Sequence, residues 1–187
     1  MACEHDTLVD LWATIAGVSA ELFEPGSQWV TLRGGWITAT GGPSRQRLAS
    51  WRERGATDVL TLQRGDEMQP WLPEQCVAHG LNFIHLPLSG RRMEGATDQD
   101  NLARLPGLLA LWATPRRVVV HCAAGLHRTG AVCYLLFRLA GLDGAAALAK
   151  VHAARPLTAD ELCKPTRSGV LAERMEAVLP RLVGSEP

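Results

Sequence analysis

The residues best suited to chemistry lie in one short run, His121-Cys122-Ala123-Ala124-Gly125-Leu126-His127-Arg128-Thr129-Gly130, in which a cysteine and an arginine are separated by five residues. A short loop entering a helix turns successive backbone N–H groups inward and offers them, with the positive helix end, to an anion. Ala123, Ala124, Gly125, Leu126, His127 and Arg128 are therefore read as a phosphate cradle, with Gly125 relaxing the backbone at its sharpest bend. Arg128 supplies two parallel charge-assisted hydrogen bonds to phosphate oxygens. Cys122 lies at the base of the cradle, where amide dipoles, the helix terminus and Arg128 favour a thiolate over a thiol. A thiolate so placed attacks phosphorus in line, and water then hydrolyses the cysteinyl-phosphate. Thr129 is the candidate donor to the sulfur as that intermediate breaks down. His121 and Gly130 are expected to order the loop. Two readings of His127 stay open, one facing the substrate and one stabilising the loop. Phosphoryl transfer is mostly positioning and charge stabilisation, so neither metal nor cofactor is expected.

The elements that position this loop follow from hydrophobic spacing and breakers. Leu8, Leu11, Trp12 and Ile15 have helical spacing, and Trp29–Leu32 and Trp36–Thr38 read as short strands. Ser44 caps a helix carrying Leu48 and Trp51 and ended by Gly55, before a buried strand over Val59–Leu62. A short helix from Pro73 to His79, closed by Gly80, leads to a strand over Asn82–Leu86. Thr97 with Asp100 reads as a capping box for a helix around Leu102–Trp112. Val118–His121 is a β-branched run typical of a central parallel strand. Helices are expected over Thr129–Leu139, Gly144–Ala153 and Arg167–Leu182. The alternation predicts an α/β fold, a single domain with a central mostly parallel sheet flanked by helices and a core of about residues 28–182. Ligands in such sheets sit at the carboxyl ends of the strands, where Cys122 falls.

Composition narrows the partners. The 187 residues carry 19 Lys and Arg against 19 Asp and Glu. That balance argues against general nucleic-acid binding. No apolar run is long enough to span a membrane, and the first ten residues do not read as a signal peptide. Five cysteines without scaffold spacing point to a reducing cytoplasm, and a monomer is expected. Cys76 and His79 have the spacing of half a zinc site without a second half, and Cys133 reads as core. Trp29, Trp36 and Trp51 read as core or platform residues.

The run His-Cys-x-x-Gly-x-x-Arg-Thr-Gly resembles the signature of the protein tyrosine phosphatase superfamily. The short chain is similar to its dual-specificity branch, as are Leu32-Arg33-Gly34-Gly35-Trp36, Gly55–Leu62 and Phe83-Ile84-His85-Leu86-Pro87. The His127-Arg128-Thr129-Gly130 ending is most similar to atypical phosphatases of plants, fungi and bacteria, some of which act on inositol pyrophosphates. The resemblance implies a phosphorylated substrate and leaves open a phosphopeptide, an inositol phosphate or an RNA 5′-phosphate end.

One part of that pattern is missing. The superfamily usually carries an aspartic general acid about thirty residues before the nucleophile, where this chain has Pro87-Leu88-Ser89-Gly90-Arg91-Arg92-Met93-Glu94. Asp98 and Asp100 are the candidate replacements, although a helix start also favours acidic residues. Asp66, Glu67 and Glu94 are further candidates. Alternatively no acid is used, because a phosphoanhydride has a good leaving group, and Arg91 and Arg92 would suit extra phosphate. A phosphate-binding module without turnover is the competing class.

Overall fold

The computed structural model describes residues 26–112 and 114–184. The helical spacing of Leu8 to Ile15 lies outside them. Five strands form one sheet: β1 (Val30–Leu32), β2 (Gly35–Thr40), β3 (Asp58–Thr61), β4 (Asn82–His85) and β5 (Arg117–His121), in the order β1-β2-β5-β3-β4. Only the β1–β2 hairpin is antiparallel among the paired strands, and β2, β5, β3 and β4 run parallel to one another with β5 central. The fold is the expected α/β type with a mostly parallel sheet.

Both faces of the sheet are covered, which is why β5 reads as a continuous apolar run. Alternate side chains go to opposite layers. Ile37, Ala39, Leu60, Val118 and Val120 join the larger core, while Val59 and Val119 join Leu48, Trp51, Leu72 and Cys76 in the smaller one. Helices α1 (Arg45–Glu53) and α2 (Leu72–Ala78) supply that smaller layer. Ser44 caps α1, accepting from Arg47 N at 3.3 Å. Burial in the smaller layer pushes the Cys76 thiol up to about 12. The larger layer surrounds α5 (His127–Leu139), where every residue from Arg128 to Phe137 is buried. Helices α6 (Gly144–Ala154), α7 (Pro156–Cys163) and α8 (Leu171–Val183) complete it. Among the described residues no helix is long and apolar enough to cross a membrane.

Three expectations about local structure need correction. The helix expected around Leu102–Trp112 is two helices, α3 (Ala96–Leu102) and α4 (Leu105–Leu111). Pro106 has no N–H to give the Leu102 carbonyl, and the ladder breaks there, with Pro106 inside the first turn of α4. The cap is not Thr97 with Asp100: Gly95 is the N-cap, and the Asp98 side chain accepts from Gly95 N at 3.2 Å. Finally, α8 begins at Leu171 rather than Arg167, after a turn containing Gly169 at φ 83°. Helix α7 was not anticipated; Pro156 at its first position sets the φ that starts it.

Candidate active site

The loop from Cys122 to Leu126 links the carboxyl end of β5 to the N-terminus of α5. Cys122 is only 3% exposed, so its sulfur lies at the base of the loop and not on its rim. Gly125 adopts φ +68°, and a Cβ there would fall 2.3 Å from both the carbonyl carbon and oxygen of Thr40. The position therefore needs glycine for its conformation and for its close approach to β2.

Neighbouring elements hold the loop from outside. Gly42 N, after β2, donates to Ala123 O at 2.9 Å, and Arg47 Nη1 on α1 steadies the Gly42 carbonyl at 3.0 Å. From the α6–α7 junction, the buried Arg155 donates through Nη1 to Gly125 O at 2.8 Å and Ala124 O at 3.2 Å. Thr158 Oγ1 adds a bond to Gly125 O at 2.7 Å. With carbonyls drawn outward in this way, the loop's N–H groups are left to face an anion. Sequence reasoning missed both Arg155 and Thr158. Nothing local marks a buried arginine before a proline as a partner for a loop thirty residues upstream.

Arg128 is buried and held through one nitrogen. Its Nη1 donates to Glu67 Oε2 at 2.5 Å, to Leu88 O at 3.0 Å and to Leu62 O at 3.4 Å. Those contacts leave the Nε–Nη2 edge uncommitted by them, and an edge of that shape can pair with an oxyanion in a parallel fork. Burial works to raise the Glu67 carboxyl, but bonding to Arg128 and the charges of Arg128 and Arg64 hold it below the usual carboxylate range. Thr129 is fully buried, and its hydroxyl has no hydrogen-bond partner among the described residues.

His121 is wholly buried. Its Nε2 shares a hydrogen bond of 2.8 Å with the Thr61 hydroxyl, and its ring lies 5.9 Å from that of Trp51. Burial lowers its pKa to about 4; a hydrogen bond with the Cys122 backbone opposes that shift and the Arg128 charge adds to it. The neutral ring is thus the native form. An unfolded imidazole binds its proton near 6.5, so this contribution is complete above that pH and is lost as pH falls towards 4. We predict that stability in urea drops by about 3 kcal/mol over that interval, and that His121→Gln removes most of the slope. A slope unchanged in His121→Gln would refute this account.

The structure separates the candidate proton donors. Asp98 is 2% exposed and faces the 89–95 loop: Oδ1 accepts from Ser89 N at 2.7 Å, and Oδ2 accepts from the Ser89 hydroxyl and Gly95 N. Its carboxylate closes the loop upon α3. Asp100, two residues on, projects about 200° around the helix axis from Asp98 and is exposed. Asp66 pairs with Arg64 at 3.0 Å, Glu67 with Arg128, and Glu94 with Arg174 at 2.8 Å. Arg174 on α8 also donates to the carbonyls of Arg91 and Arg92, tying that loop down. His127, the first residue of α5, bonds through Nε2 to Glu161 Oε2 on α7 at 3.0 Å.

Comparison with known proteins gives a consistent result. A sequence model of the tyrosine phosphatase family matches residues 48–161. No curated protein sequence matches the chain. Among solved structures, a kinase-associated phosphatase with its catalytic cysteine replaced by serine is 14% identical, with a TM-score of 0.63 over 87% of this chain and 100% of its own. TpbA of P. aeruginosa in complex with pTyr is 16% identical, with a TM-score of 0.54 over 87% of this chain and 99% of its own. The core catalytic domain of the PP-IP phosphatase SIW14 of S. cerevisiae, in complex with citrate, is 16% identical with a TM-score of 0.51, over 83% and 94% of the two chains. At these identities the likeness is one of fold.

Proposed function

The chain belongs to the tyrosine phosphatase family, and on that premise we propose that it hydrolyses phosphate monoesters or phosphoanhydrides through a cysteinyl-phosphate on Cys122. The observation that carries this reading is the arrangement of Arg128. Glu67 and two carbonyls hold one end of its guanidinium, while its other edge is left for phosphate beside a loop whose carbonyls are bonded outward.

In the proposed first step the Cys122 sulfur attacks phosphorus, and the bond to the leaving oxygen breaks with its electron pair. The Arg128 fork and the amides from Ala123 to Arg128 take up charge on the equatorial oxygens, so no metal is needed for that purpose. In the second step water attacks phosphorus and the sulfur departs as thiolate. The Thr129 hydroxyl, without a partner among the described residues, is suited to stabilise it. His121 and Gly130 are assigned to loop order, since His121 is buried against Thr61 and Trp51, and a Cβ on Gly130 would crowd Leu162 and Thr158 at 3.1 Å. Asp98 and Asp100 are better suited to loop closure and to solvent than to proton donation.

For the substrate, the compounds named with two of the similar structures define the two poles: phosphotyrosine and an inositol pyrophosphate. Cys76, Cys122, Cys133 and Cys163 are unbonded, which suits an enzyme of a reducing cytoplasm. Rapid quenching of the protein with a labelled aryl phosphate is expected to trap phosphate on Cys122 within one turnover. A substrate panel with a phosphopeptide, an inositol pyrophosphate and an RNA 5′-triphosphate would then rank leaving groups. The second reading, capture of phosphate without turnover, is favoured by the engagement of Asp98, Glu67 and Glu94 in structural bonds. It is the reading to keep if binding is measured and no labelled Cys122 appears.

A further inference from the structure

In-line displacement places the leaving oxygen opposite the attacking sulfur, hence at the mouth of the cradle, above a Cys122 that is only 3% exposed. A proton donor for that oxygen must belong to the rim. Of the candidate carboxylates, Asp98 is engaged with Ser89 and Gly95, Glu94 with Arg174, Glu67 with Arg128 and Asp66 with Arg64, while Asp100 projects from the other side of α3 to solvent. His127 remains. It belongs to the cradle, immediately precedes Arg128, and has a side chain 32% exposed where the Arg128 side chain is 10% exposed.

Its partner fits the task. Glu161 reaches from α7 to His127 Nε2 at 3.0 Å, and Lys164 steadies the same carboxylate at 3.0 Å. A carboxylate on one ring nitrogen fixes the ring's orientation and leaves Nδ1 as the nitrogen not engaged by it. The Lys164 and His127 bonds hold the Glu161 carboxyl below the usual carboxylate range, so the anion persists. The charged groups at His127 are Glu161 on α7, Lys164 just beyond that helix and bonded to Glu161, and Arg128 beside it on α5.

We propose that His127 is the catalytic acid of this phosphatase and Glu161 its positioning residue. The proposal rests on the cysteinyl-phosphate reading. As the P–O bond breaks, its electron pair goes to the leaving oxygen, which takes the proton from His127 Nδ1 and leaves a neutral imidazole. In the second step that imidazole takes a proton from the attacking water while the P–S bond pair returns to Cys122. The imidazolium is thereby regenerated.

The test compares kcat/KM for phenyl phosphate, a poor leaving group, with that for 4-nitrophenyl phosphate, a good one. His127→Asn is expected to lose about 10²-fold or more on the first and only a few-fold on the second. Glu161→Gln is expected to lose about tenfold on phenyl phosphate and little on 4-nitrophenyl phosphate, because the ring is no longer held in place. It gives an independent reading should His127→Asn fold poorly. Equal losses on both esters in either variant would overturn the proposal. Absence of labelled Cys122 in the parent protein would instead overturn the cysteinyl-phosphate reading beneath it.

Discussion

Exchanging Cys122 for Ser is expected to lower turnover by roughly 10⁴-fold or more while leaving phosphate binding nearly intact. A serine hydroxyl occupies nearly the same space, but it is a far weaker nucleophile unless a base removes its proton. The adjacent His121 does not offer one, since its Nε2 is bonded to Thr61 and the ring is sealed in the core. On the proposed function, the parts that bind phosphate do not depend on the sulfur. Arg128 keeps its anchors on Glu67, Leu62 and Leu88, and the loop carbonyls keep theirs on Gly42, Arg155 and Thr158. Steady-state turnover and calorimetric titration with inorganic phosphate therefore give opposite answers for this variant. Activity within about tenfold of the parent would remove Cys122 from the nucleophile's place.

Gly125→Ala is expected to be the most damaging change of a single methyl group at the site. The left-handed conformation at φ +68° costs an L-residue about 1 kcal/mol. The new methyl would also overlap backbone, lying 2.3 Å from Thr40 C and O and 2.5 Å from Arg155 Nη1. Backbone at the end of β2 cannot step aside as a flexible side chain can, because β2 is paired with β5 at Thr40 and His121. Strain and overpacking together predict a loss of roughly 3–5 kcal/mol. If the loop moves instead, that relief comes with a loss of phosphate affinity. Gly141→Ala is the control, with φ +96° but nothing within 4 Å, so it carries the conformational cost alone. Urea unfolding and phosphate titration measure the two routes, and a Gly125→Ala protein unchanged in both would refute the argument.

The legible part of this molecule was the part encoded by neighbours in sequence. β5, the loop after it and the start of α5 are contiguous, so residue types and spacing were enough to place Cys122 at a strand end and Arg128 in a helix. The same holds for Ser44 at the start of α1 and for the alternation along the parallel strands. What escaped notice was long-range. The Glu67–Arg128 pair joins residues 61 positions apart, and no periodicity announces it. Arg155 and Thr158 act on Gly125 from a helix too short to have a clear apolar period. The single helix read across Leu102–Trp112 failed for a local reason, because apolar spacing outweighed the break at Pro106. Asp98 shows how one signal admits two readings: an acidic residue near a helix start served as the lock of a loop, and only its three donors distinguish the roles.

The bonds from Arg155 and Thr158 to the Gly125 carbonyl also have a consequence in time. As the chain is synthesised, its phosphate loop emerges before either residue exists, since they follow Gly125 by 30 and 33 positions. A nascent chain that has completed β5 and α5 holds every residue of the reactive run but lacks the clasp that shapes it. On the proposed function, competence is therefore acquired late, when α7 docks, and a product terminated after α6 would carry an intact motif without the bonds that shape its loop.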